Sequence, residues 1–141
     1  RCDPARVLMT PHAGEFRRML AHAGGSPLAA EVAAEEAAGA VVLLKGPCPV
    51  VATPGAPARG CAATFGDAAP WLATAGSGDV LAGLAAGLTA RGFAPADAAA
   101  AGALLHQAAG RAAGPGLIAE DLPEAVAAVL RGALGAGGDA R

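Results

Sequence analysis

Apolar positions along the chain form three short continuous runs, followed by a long stretch of helical spacing. Arg6-Val-Leu-Met9 and Val41-Val-Leu-Leu44 read as strands, the second with the unbroken aliphatic character of a strand covered on both faces. Thr10-Pro11 ends the first run and Lys45-Gly46 the second, so each strand feeds a loop. Between them, Phe16, Met19 and Leu20 share one helical face over residues 15–22. Ser26 and Pro27 are suited to open a second helix over 28–38, with Gly39 as its C-terminal cap. Val50-Val-Ala-Thr53 is a third run, stopped by the turn signal Pro54-Gly55. Residues 54–70 are rich in Gly, Pro and Ala, and there only Cys61 to Thr64 suggests a short edge strand.

From Asp79 onward the pattern is helical, with Leu81, Leu84 and Leu88 on one face. Gly83 and Gly87, four apart, offer a site for close approach of another backbone. Gly92 ends this helix, Pro95 opens the next, and Gly114-Pro115-Gly116 breaks it. Asp121-Leu-Pro-Glu124 has the form of a capping box before a last helix through Val126, Val129, Leu130 and Leu134, with fraying expected from Gly135. Strand, helix pair, strand and helical block make an α/β organisation. Two confident core strands are few for a parallel sheet, so its remaining strands are expected before Arg1.

Composition narrows the picture. The hydrophobic fraction is 54%, but much of it is Ala, which predicts a thin core between tightly packed helices. Aromatic residues at 3% and a net charge of −2 argue against a base-stacking or basic surface for nucleic acid, and against anionic lipid. Cys2, Cys48 and Cys61 form no C-x-x-C pair and fit free thiols in a reducing cytoplasm. The most apolar helix reaches Arg91 too soon to span a bilayer, and no His/Cys cluster has zinc spacing.

Chemistry concentrates at Ala73-Thr-Ala-Gly-Ser-Gly-Asp-Val-Leu-Ala-Gly83, where small residues run into a helix N-terminus. The bare backbone of Gly76 and Gly78 lets the amides of residues 76–79 converge on an anion, aided by the positive helix end. Asp79 at that entrance is either a base for a substrate hydroxyl or a first-turn charge favoured by the dipole. Lys45 either snorkels into solvent from its strand end or reaches a phosphate. His12 and Glu15 follow the first strand, where open α/β sheets bind ligands, and Glu15 equally suits a helix N-terminal charge. His22 and His106 are expected on helices as surface or satisfied structural residues.

Four blocks carry a resemblance. Leu8-Met-Thr-Pro-His-Ala-Gly-Glu-Phe16, Val41-Val-Leu-Leu-Lys-Gly46, Trp71-Leu-Ala-Thr-Ala-Gly-Ser-Gly-Asp-Val-Leu-Ala-Gly83 and Leu117-Ile-Ala-Glu-Asp-Leu122 occur in one order over nearly the whole chain. In these the chain resembles the NAD(P)H-hydrate dehydratase family. The resemblance implies a ribokinase-like, three-layer parallel sheet with flanking helices, of which residues 1–141 form the C-terminal half of a single domain. It also implies a reaction: ADP, or ATP in eukaryotic relatives, phosphorylates the ring hydroxyl of hydrated NADH or NADPH. Phosphate is then eliminated, with Mg²⁺ accompanying the nucleotide. Under it Asp79 is the catalytic base, also touching substrate. Lys45, Gly46, Gly76, Ser77 and Gly78 hold nucleotide and phosphate, while His12 and Glu15 face the hydrated coenzyme. Two departures stand out: Pro49 replaces the usual Thr of Lys-Gly-x-x-Thr, and Ala68-Ala69-Pro70-Trp71 replaces a Gly-Asn-Pro segment and its small successor. The competing readings are another ribokinase-like small-molecule kinase and a non-catalytic fragment. With half a cleft and an open sheet edge, the bare chain is expected to be inactive and prone to associate with itself.

Overall fold

Two hydrogen bonds set the apolar runs side by side: Val41 N donates to Val7 O at 3.0 Å, and Lys45 N donates to Pro11 O at 2.8 Å. The computed structural model describes residues 6–23, 39–54, 56–60 and 69–136. Their order is β1 (Leu8–Met9), α1 (Ala13–Ala23), β2 (Val41–Leu44), β3 (Val50–Thr53), β4 (Ala56–Gly60), a 3-10 turn (Pro70–Leu72), α2 (Ser77–Ala90), α3 (Pro95–Ala113), a second 3-10 turn (Ala119–Asp121) and α4 (Leu122–Ala136). The expected helix over 28–38 and the edge strand at Cys61 to Thr64 lie outside the described residues.

The sheet order is β1-β2-β3-β4. Only β1 and β2 pair in parallel, with Leu8 opposite Val41 and Met9 opposite Val42; β2/β3 and β3/β4 are antiparallel. The sheet is therefore mixed where a parallel one was expected. The connection from Lys45 to Pro49 is too short for a parallel crossover, which needs a dozen or more residues, so β3 must fold back as a hairpin. β4 is a strand that residue pattern did not announce. Its register shifts between Val51↔Arg59 and Thr53↔Ala56, leaving Pro57 and Ala58 opposite Ala52 alone. A proline is tolerated at such a bulge on an edge strand, where its missing N–H interrupts no central ladder.

β2 alternates between two apolar layers. Val41 and Leu43 pack with Val51, Leu81, Ala99 and Ala103, whereas Val42 turns the other way onto Phe16. This puts α2 and α3 on one face of the sheet and α1 on the other. A third cluster of Ala109, Leu117, Leu122 and Val126 joins α4 to α3. Among the described residues no helix is long and apolar enough to cross a membrane.

The layer above the sheet depends on small residues. At the α2–α3 crossing, a Cβ placed on Gly102 would lie 3.4 Å from the Ala85 backbone nitrogen. Gly83 and Gly87, expected to make the close approach, are instead exposed, and a Cβ added at either would meet nothing within 4 Å. Spacing identified a small-residue face of α2 but not the buried one, which is the Ser77, Leu81, Ala85 stripe. The last helix also starts differently from expectation. Asp121, not Glu124, reaches back, its Oδ2 accepting from Ile118 N at 3.0 Å, because the 3-10 turn puts the first orphan amides before Leu122.

Gly83→Ala should raise the unfolding free energy by about 0.5–1 kcal/mol, since it replaces an exposed mid-helix glycine. Gly102→Val should lower it by about 1–3 kcal/mol by forcing α2 and α3 apart. Urea denaturation of both variants checks the pair, and equal effects would mean that the crossing lies elsewhere.

Candidate active site

His12 and Lys45 follow the two parallel strands and stand beside each other in an isolated parallel bridge. His12 also caps α1. Its Nδ1 accepts from the amides of Gly14 at 3.0 Å and Glu15 at 3.2 Å, while Glu15 Oε2 accepts from His12 N at 2.8 Å. This is a capping box with an imidazole in the usual Ser/Thr position. Because the Nδ1 lone pair is engaged, the neutral ring carries its proton on Nε2, which lies 3.6 Å from Glu15 Oε1. The hydrogen bond from the His12 amide holds the Glu15 carboxyl below its ordinary value; desolvation opposes this, and the nearby charges of Lys45 and Arg18 add to it.

Opposite these loops lies the N-terminus of α2. Gly76 precedes it in the left-handed region at φ 82°, a conformation that favours glycine. Ser77 is buried and held twice: its Oγ donates to Leu72 O at 2.6 Å, and its carbonyl is 2.9 Å from His106 Nε2. Ser77 N turns back to Thr74 O, and Asp79 N and Val80 N both turn back to Gly76 O. Gly78 N has no backbone acceptor among the described residues, so of residues 77–80 it alone offers an open amide. Convergence of all the amides from 76 to 79 is thus narrowed to fewer donors.

Lys45 extends to this same point. A Cβ on Gly78 would stand 3.1 Å from Lys45 Nζ, so the ammonium lies close against the bare backbone of Gly78. An ammonium beside the positive end of a helix is repelled unless an anion lies between them, which makes the pair a receptor for negative charge.

His12, Lys45, Gly46, Ser77 and Gly78 line a cleft of about 560 Å³. Pro47, Pro49, Pro70, Leu72 and Leu81 supply its apolar wall, so Pro49 contributes a ring at the position where the family pattern has Thr. Three predicted residues are not brought to this lining. Gly76 shapes the turn, Glu15 caps α1, and Asp79 is exposed on the first turn of α2 next to Gly78. His106 and Gln107 line the cleft without having been singled out as site residues. Their signal was present in α3: Ala99, Gly102, Ala103, His106, Ala109 and Gly110 form a buried stripe of small residues interrupted by one imidazole. His22 lies on α1, outside the side chains described. Among the described residues no three His, Cys, Asp or Glu side chains gather as a metal site. The described residues therefore present no protein cage for Mg²⁺, and no step below is routed through it.

A sequence model of the NAD(P)H-hydrate dehydratase family matches residues 3–129, nearly the whole chain. The chain belongs to the NAD(P)H-hydrate dehydratase family. It is similar to the ADP-dependent (S)-NAD(P)H-hydrate dehydratase of Cenarchaeum symbiosum, 36% identical over 135 residues that cover 88% of this chain and 44% of that protein. It is also similar to the bifunctional NAD(P)H-hydrate repair enzyme Nnr of Salinibacter ruber, 50% identical over 98 residues, covering 67% of this chain and 17% of that protein. Among solved structures, YxkO of Bacillus subtilis superposes with a TM-score of 0.69 at 26% identity, over 93% of this chain and 50% of its own. This family chain thus spans less than half the length of these curated relatives, with the ribokinase-like α/β architecture that the resemblance implied.

His106 has a consequence for stability. Burial pushes its pKa below 6.5, and the hydrogen bond with Ser77 only partly opposes this. The folded state therefore resists protonation that the unfolded chain accepts. The stability this neutral histidine allows is full above about pH 6.5 and falls as pH drops toward the depressed folded value. Unfolding midpoints measured between neutral and mildly acid pH should decline more steeply for the unsubstituted protein than for His106→Gln.

Proposed function

We propose that the protein carrying this chain dehydrates hydrated NADH and NADPH at the expense of a nucleotide, with this chain supplying the phosphate-binding side of the cleft and, next to Gly78, the proton acceptor. The observation that carries this reading is Lys45 Nζ poised over Gly78 at the N-terminus of α2, next to His12 on the adjacent loop. Fixed donors aimed where charge develops are the main means by which proteins promote phosphoryl transfer.

On this reading the terminal phosphoryl group of ADP lies between Lys45, Gly46 and the open amide of Gly78, with Gly76 and Ser77 shaping the turn beneath it. His12 offers its Nε2 proton to the hydrated coenzyme, and Glu15 acts through His12 instead of touching substrate. Asp79 accepts the proton of the ring hydroxyl as its oxygen attacks phosphorus and the bond to the leaving AMP breaks. Departure of phosphate, with loss of a proton from the neighbouring ring carbon, then restores the double bond of the reduced nicotinamide. ADP is favoured as donor because the Cenarchaeum symbiosum relative is named as ADP-dependent.

Asp79→Asn should lower kcat for recovery of NADH absorbance from its hydrate by about 10²–10⁴-fold, with ADP affinity little changed. Turnover close to that of the unsubstituted protein would remove Asp79 from the proton path. Lys45→Ala should raise the ADP dissociation constant by about ten- to hundredfold, as expected for loss of a charged hydrogen bond, and leave affinity for the coenzyme hydrate much less affected. Calorimetric titration with each ligand separates the two effects. Equal losses would count against a phosphate partner for Lys45. Assaying the bare chain beside the full protein tests whether half a cleft suffices.

A further inference from the structure

Buried polar side chains within an Ala- and Gly-rich helix layer need a reason, and His106 is one that the proposed chemistry does not use. It is 6% exposed, and its Nε2 lies 2.9 Å from the carbonyl oxygen of Ser77, a residue 29 positions earlier. A carbonyl can only accept, so Nε2 carries the proton and the imidazole is the donor. Ser77 O and Gly78 N–H belong to one trans peptide, whose two ends point in opposite directions. Gly78 N is the open amide of that first turn, and Gly78 lines the cleft beside Lys45.

We propose that His106 is a positioning residue for the anion site: by gripping the Ser77 carbonyl from behind, it aims the Gly78 N–H into the cleft and strengthens it as a donor. This inference rests on the nucleotide reading of the cleft and adds to it the residue that tunes its backbone donor. Two physical effects act together. The hydrogen bond fixes the peptide plane against the α3 scaffold, and accepting at the carbonyl polarises the amide at the other end of the same peptide. α3 is the right element to hold this anchor. Its close crossing with α2 at Ala85 and Gly102 keeps the two helices at a constant distance one turn from His106.

ADP titration of the full protein, in unsubstituted form and as His106→Phe and His106→Gln, separates a donor from a space-filling ring. Phenylalanine keeps the ring and loses the N–H; glutamine loses the ring and keeps an N–H at similar reach. His106→Phe should raise the ADP dissociation constant about tenfold, the weight of one hydrogen bond, while His106→Gln stays within about twofold. The reverse order, with glutamine harmful and phenylalanine harmless, would make His106 a packing residue and overturn the proposal. Should the phenylalanine variant not fold, the glutamine variant decides: retained affinity supports the donor role, and a tenfold loss sinks it. Failure of the unsubstituted protein to bind ADP would overturn the nucleotide reading and the positioning role together. ADP binding that His106→Phe leaves intact overturns the positioning role alone.

Discussion

Lys45 owes its position to the backbone. Its amide donates to Pro11 O, and His12 stands opposite it in the parallel bridge, so the two chain segments leave the sheet at the same level. That register in turn depends on β2 being buried from both sides, with Val42 under α1 and Leu43 under α2 and α3. A slip of one residue would swap side chains of different size between the two layers and bring Ala40 or Lys45 into a strand position, so the packed core resists it. The placement of a cation at the mouth of the cleft is thus a consequence of apolar burial several residues away.

The helical layer solves a different problem. Ala and Gly remove little area from water, and a core built from them gains stability mainly by letting helices approach closely. That closeness has a chemical use here. It brings α3 near enough to the start of α2 for His106 to reach Ser77 O, and it lets Trp71 Nε1 donate to Gly110 O, tying the Pro70–Leu72 turn to α3. The segment assigned to the anion in the proposed reading is held from behind by three hydrogen bonds, from Ser77 Oγ, His106 and Trp71. Such a turn reorganises little when charge arrives, which is what electrostatic preorganisation requires.

His12 is both the cap of α1 and a lining residue of the cleft. Nδ1 and the backbone amide close the capping box of α1, which leaves Nε2 as the ring position available to the cleft. Glu15 completes the box with its carboxylate, while its amide and that of Gly14 occupy Nδ1 and so leave the proton on Nε2; Glu15 does this without lining the cleft.

Residue pattern alone was enough for β2 and for the helix that begins after Gly76, and it singled out His12, Lys45, Ser77 and Gly78, which the fold brings to one cleft. Those signals are local: a continuous aliphatic run, two glycines before a helix, and a short motif after each strand. Tertiary structure decided the rest. β4 contains Pro57 and no apolar alternation, so it exists as a strand only because β3 offers an edge to pair with. The antiparallel return of β3 follows from loop length and sheet pairing, not from the composition of Val50–Thr53. Which glycine of the helical layer is crowded depended on the side of α2 that met α3, and four-residue spacing is the same on either side. The bond from His106 to Ser77 spans 29 residues, and no propensity reports it, because its strength comes from two helices excluding water around a single donor and a single acceptor.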